Sequence, residues 1–161
     1  MLLSLTLILC IVLPPMAEAQ SGKVNFTGSW ALNEGKSTMG DNPRMGGGDF
    51  IAKQDGNILS VERSRTNRNG ETMKTTMTYT LDGKESINTS PRGDSKSVAQ
   101  WSSDGKSLTI STARSFEMNG ETVNMKTVEV WSLTDPKTVT IQYSSSTPNG
   151  ERKMTMVYDK K

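Results

Sequence analysis

Nucleophilic and metal chemistry have little to work with in this chain. There is no histidine, and the single cysteine, Cys10, lies in an apolar N-terminal run. Ser-His-Asp and Cys-His sites are therefore excluded from the remainder, as are the usual donor sets for zinc and copper. Carboxylates, lysines and tyrosines are left. Asp55, Asp82, Asp94, Asp104 and Asp135 stand in or beside turn sequences, where an aspartate serves the backbone. The expectation is a protein that is not an enzyme and has no cofactor and no metal.

Two charges share alternate positions with apolar neighbours. Arg114 falls in step with Leu108, Ile110 and Phe116, and Glu129 with Val123, Met125 and Trp131. A charge on an apolar face needs a partner. If those faces turn inward, Arg114 offers a donor to a polar ligand head, with Glu129 as its partner. The alternatives are a salt bridge near an open rim, or a bulge that turns both toward water. Methionine adds a second signal, because Met73, Met77, Met125, Met154 and Met156 fall on the apolar sides of their segments. Thioether side chains adapt to ligands of varied shape, and they also fill irregular cores. With Tyr79, Trp131, Tyr143 and Tyr158 they would form an apolar pocket with a few hydroxyl handles. The candidate ligand-binding residues are Met73, Met77, Tyr79, Ile110, Arg114, Phe116, Met125, Glu129, Trp131, Tyr143, Met154 and Met156.

Positioning such a set requires a curved sheet. Asp55-Gly56, Asn69-Gly70, Asp82-Gly83, Arg92-Gly93-Asp94, Asp104-Gly105, Asn119-Gly120, Asp135-Pro136 and Asn149-Gly150 punctuate short alternating runs. Asx-Gly pairs supply the positive φ that tight hairpins need. The runs between them predict strands at Phe26–Asn33, Asp49–Gln54, Ile58–Thr66, Glu71–Leu81, Lys84–Ser90, Ser95–Ser102, Ser107–Glu117, Glu121–Leu133, Thr138–Ser146 and Arg152–Lys160. Period-two alternation rich in threonine marks half-buried strands, and no window has a helical stripe. A long antiparallel meander hides its edges by closing. The expected fold is all-β: an antiparallel up-and-down barrel of eight to ten strands.

A weak repeat runs through it. Asp55, Asp104 and Asp135 each open a turn and strand, followed by Asn-Gly-Glu at Asn69, Asn119 and Asn149. Duplication and convergent hairpin chemistry explain it equally well. The stretch from Glu34 to Gly48 breaks the rhythm with five glycines and Pro43, and it reads as a lid over the open end or as a plain surface loop.

Residues 1–19 read as a secretory signal peptide, apolar from Met1 to Val12 and ending in Ala17-Glu18-Ala19. The run is too short, and too broken by Pro14-Pro15, for a stable membrane span. Residues 20–161 then form one domain, secreted or periplasmic, without a disulfide. Charges of both signs are interleaved around a net of +2, so nucleic acid is not an expected partner. The oligomeric state is left open.

Asn25-Phe26-Thr27-Gly28-Ser29-Trp30 puts Gly-x-Trp on the first strand, ahead of a long loop and a string of hairpins. That layout resembles the calycin superfamily of lipocalins, fatty-acid-binding proteins and avidins. Tyr79-Thr80-Leu81-Asp82-Gly83-Lys84 and Trp101-Ser102-Ser103-Asp104-Gly105-Lys106 resemble segments of small secreted bacterial lipocalin-like proteins, and Thr155 to Lys160 resembles the closing strand of fatty-acid-binding proteins. The resemblance implies a tryptophan plug at the closed end, covered by a basic side chain of the last strand: Arg152, Lys153 or Lys160. It also implies a small hydrophobic or amphipathic ligand inside. Met156 stands where fatty-acid-binding proteins carry a carboxylate-binding arginine, so no particular ligand carries over. The rival expectation is a protein-interaction or inhibitor module that uses the barrel as a rigid scaffold.

Overall fold

The computed structural model describes residues 22–40, 47–66, 69–90, 93–118, 120–148 and 150–161. The expected signal peptide lies outside the described residues, as do positions 41–46 of the long loop. Ten strands follow one another: β1 Gly28–Leu32, β2 Phe50–Asp55, β3 Ile58–Thr66, β4 Thr72–Thr80, β5 Glu85–Asn88, β6 Ser95–Trp101, β7 Ser107–Met118, β8 Glu121–Asp135, β9 Thr138–Thr147 and β10 Gly150–Lys160. One turn of 3₁₀ helix, Glu34–Lys36, interrupts them. All pairings are antiparallel, and the sheet runs β4-β3-β2-β1-β10-β9-β8-β7-β6-β5. The first and last strands meet, with Trp30 opposite Lys160 and Leu32 opposite Tyr158.

The sheet curls into a nearly closed barrel whose seam lies between β4 and β5. Side chains hold this seam. The Asn88 amide accepts from Thr78 N at 2.8 Å and donates to Thr78 O at 3.0 Å. Ser86 Oγ accepts from Thr80 N at 2.9 Å, and Thr80 Oγ1 donates to Lys84 O at 3.2 Å. An asparagine side chain carries the same donor and acceptor as a peptide group, so β5 satisfies the β4 edge without a backbone ladder.

Up-and-down order sends alternate turns to opposite ends. The Asp55, Asp82, Asp104 and Asp135 turns lie at one end, and the Asn-Gly-Glu connections after β3, β7 and β9 at the other. Three aspartate turns share one device. The carboxylates of Asp82, Asp104 and Asp135 accept from the backbone N–H two residues on, at 3.1, 3.0 and 2.7 Å.

The aspartate end is sealed. The first strand begins at Gly28 and not at Phe26, because residues 23–27 leave the sheet to cross beneath the barrel. Phe26 is fully buried there, stacked on Trp101 and edge-on to Trp131. Its carbonyl accepts from Trp30 Nε1 at 3.0 Å, and Val24 N donates to Gly105 O at 3.0 Å. Gly105 has φ +68°, and a Cβ there would stand 2.9 Å from the Gly22 carbonyl oxygen, so the crossing needs glycine at that turn. Phe50 joins the rings, 5.2 Å from Trp131 and 4.8 Å from Tyr158. Lys160 is the basic side chain over the plug, its Nζ 5.5 Å from the centre of the Trp30 ring. Leu59, Val61, Leu108, Ile110, Val139, Ile141 and Met156 complete the core.

Candidate functional site

Strand parity sorts the interior into two halves. Leu59, Val61, Leu108, Ile110, Trp131, Val139, Ile141, Met156 and Tyr158 are buried. Further toward the Asn-Gly-Glu end, on the same inward faces, Arg63, Met77, Thr112, Arg114, Phe116, Met125, Glu129, Tyr143 and Met154 keep part of their surface accessible. The sealed half packs like any core. In the other half, the cup, most inward side chains keep accessible surface, although Ser95, Ser97 and Ser145 are buried there.

A polar layer separates them. Arg63 follows Leu59 and Val61 on β3, and its guanidinium lies over the Phe50 and Trp131 rings, 5.1 and 5.9 Å from their centres. Its Nη2 is 3.6 Å from Glu129 Oε2. The same carboxylate oxygen accepts from Trp131 Nε1 at 2.7 Å. Arg63 Nη1 is buried without a hydrogen-bond partner. Both charged side chains retain about a fifth to a quarter of their surface, 25 % for Arg63 and 21 % for Glu129, while the rings beneath are sealed. They form the floor of the cup.

Three phenols border this floor. Burial raises the Tyr79 hydroxyl above its ordinary value, and the Glu129 charge raises it further. Burial likewise raises Tyr143 and Tyr158, with Arg63 drawing Tyr158 partly back. All three stay protonated and can donate hydrogen bonds. Burial works against the Arg63 charge, yet Glu129 and the phenols outweigh it and hold the group protonated. Tyr158 Oη donates to Gly47 O at 3.2 Å. A Cβ on Gly47 would lie 2.6 Å from Arg63 Nη1, so the returning loop rests directly against the guanidinium.

Nearer the mouth, Ser97 Oγ and Thr112 Oγ1 share a 2.8 Å hydrogen bond, and Ser95 Oγ donates to Asn88 O at 3.2 Å. Arg114 Nη2 donates to Ser90 Oγ at 2.8 Å. The β6 ladder ends at Ser95 opposite Arg114, and the β9 ladder begins at Lys126 opposite Ser146. The β7–β8 hairpin therefore stands above its neighbours, with Phe116 and Val123 on the face it turns toward the mouth.

The expected pairing of Arg114 with Glu129 is corrected. Ile110 stands opposite Glu129, whereas Arg114 stands opposite Met125, four residues or about 13 Å along the strand. Glu129 pairs with Arg63. The rim salt bridge fails for the same reason. The β8 bulge lies between Leu133 and Asp135, so parity does not switch near Glu129. Of the other candidates, Met77, Phe116, Met125, Tyr143 and Met154 line the cup. Tyr79, Ile110, Trp131 and Met156 are buried in or just below its floor, and Met73 is 61 % exposed on the β4 extension. Arg63, Ser95, Ser97 and Thr112 were not among the candidates. Arg63 shares parity with Leu59 and Val61, which is the signal that could have found it.

The long loop is partly described. Thr38 N and O pair with Thr155 O and N at 2.8 and 2.9 Å, and Met39 packs against the core. Its first part thus extends β1 along β10. On the outer wall a groove of about 470 Å³ runs between Thr38 and Val128, floored by Val130, Gln142, Ser144 and Thr155. Val128, Val130, Gln142, Ser144 and Thr155 have outward parity, while Tyr143 and Met154, whose parity is inward, also border the groove.

No family model matches the chain, and no curated protein matches it in sequence. Among solved structures, zebrafish ileal bile acid-binding protein, in complex with cholic acid, superposes with a TM-score of 0.54 at 14 % identity, over 84 % of this chain and 98 % of that one. The fold is calycin-like. At this identity the likeness is one of architecture.

Proposed function

We propose that this chain is a non-enzymatic binding protein that holds a small hydrophobic or amphipathic molecule in the open half of its barrel. The observation that carries this reading is the contrast within one interior. Rings seal the lower half, while Met77, Phe116, Met125, Tyr143 and Met154 on the inward faces keep accessible surface. Methionines beside tyrosine and serine hydroxyls suit a mainly apolar ligand with a few fixed polar contacts. That a protein of the same fold is complexed with cholic acid supports the reading. Burial of apolar ligand surface would drive binding, at roughly 25 cal/mol per Å². Export after cleavage near Ala19 belongs to the same proposal, and a mature protein beginning at Gln20 would support it.

Titration with an environment-sensitive naphthalene sulfonate dye tests the cup. The folded protein should bind it stoichiometrically. Met125→Trp should weaken binding by about tenfold or more through filled space while the thermal midpoint stays put. Unchanged affinity in this variant would place the occupant elsewhere. The scaffold alternative has the outer groove at Val128 and Val130 in its favour, and Val128→Lys should leave dye binding intact if the cup is the site.

A further inference from the structure

Arg63 and Arg114 face the interior in different electrical surroundings. Arg63 on the floor is matched by Glu129, so the deep end is polar but carries no net charge. Arg114 stands about 13 Å higher along the strands. Its Nη2 rests on Ser90, its plane lies 5.9 Å from the centre of the Phe116 ring, and its Nε has no hydrogen-bond partner. Among the described residues no carboxylate pairs with it. We infer that the ligand is polar at both ends and enters in one orientation: an uncharged hydroxyl end on the Arg63–Glu129 floor, and an anionic end at the mouth on Arg114.

The inference rests on the reading of the barrel as a ligand cup and adds the chemistry of the occupant. A hydroxyl can donate to Glu129 and accept from Arg63 at once, which an alkyl end cannot do. A carboxylate on the floor would face Glu129 and be repelled. At the mouth the charges are reversed. An unpaired guanidinium, steadied by a serine and an aromatic face, is suited to a carboxylate.

Calorimetric titration of the full chain with decanoate, decanol, ω-hydroxydecanoate and sebacate reads this directly. The ω-hydroxy acid should bind tightest, with decanoate about fivefold weaker. Decanol should be about tenfold weaker than decanoate for want of a charge. Sebacate should fall below the ω-hydroxy acid because its second carboxylate meets Glu129. Arg114→Met should bring decanoate and decanol to equal affinity and leave the hydroxyl preference in place, whereas Arg114→Lys should keep the acid preference. Equal binding of decanoate and decanol by the unaltered protein, or sebacate matching the ω-hydroxy acid, overturns the inference while the cup reading stands. Failure of all four to bind overturns both.

Discussion

At the residue scale, Glu129 holds the centre of the molecule together. One carboxylate oxygen serves both the Trp131 N–H and the Arg63 guanidinium. Removing it leaves a cation and an indole donor without an acceptor above a sealed aromatic core, the costly half of any buried pair. Glu129→Ala should destabilise the fold by about 1–3 kcal/mol in urea unfolding, below the fully buried range because both side chains touch water. Glu129→Gln, which keeps an acceptor for Trp131, should recover part of the loss. A variant as stable as the parent would show that the floor contributes only to binding. Glu129 could be singled out in the chain by its parity with Met125 and Trp131. Its partner could not, because Arg63 lies 66 positions earlier in the numbering, on a strand that reaches it only across the barrel.

Elements show the same division between local and distant information. Turn chemistry is local, so the Asp-x-Lys turns and the Asx-Gly connections placed every strand within about two residues. Phe26 and Asn33 are the instructive exceptions, since both flank a strand expected to include them. Phe26 leaves the sheet to plug the closed end. The Asn33 amide turns outward to Asp159, donating at 2.6 Å. The seam between β4 and β5 is also a tertiary device, written in the side chains of Ser86 and Asn88. Asn88→Ala removes both of its bonds to Thr78 and should cost about 1–2 kcal/mol. Amide exchange should then speed up at Thr78 and Thr80 while Met156, opposite Ile141 deep in the β9–β10 ladder, stays protected. Equal protection in both proteins would mean that the ladders alone keep the barrel shut.

For the whole molecule, the charge inventory predicts a broad plateau of stability. Asp49 sits below the ordinary carboxylate value through its hydrogen bonds to Lys161 and Leu32 N, and Asp159 through Asn33 and Lys36. Asp82, Asp104 and Asp135 are lowered by their turn partners, Lys84, Ser102 and Lys137 N in turn. Groups lowered by folding bind fewer protons folded than unfolded, so their contribution is present above about pH 4 and is lost as pH falls through the folded values. Tyr79, Tyr143 and Tyr158 are raised by burial, so their contribution is present below about pH 10 and is lost as pH climbs beyond it. With no histidine in the chain, thermal midpoints should stay level between about pH 5 and 9, and a step near neutrality would contradict this account. By itself the sequence determined that the chain is a meander of ten antiparallel strands, because alternation and turn chemistry act over a few residues. It also determined which side of each strand is apolar. Only the tertiary structure decided that aromatic rings fill one end of the barrel while inward side chains stay partly accessible at the other, and which arginine Glu129 neutralises. Those outcomes depend on ring packing and on register between distant strands, quantities that no short stretch of chain encodes.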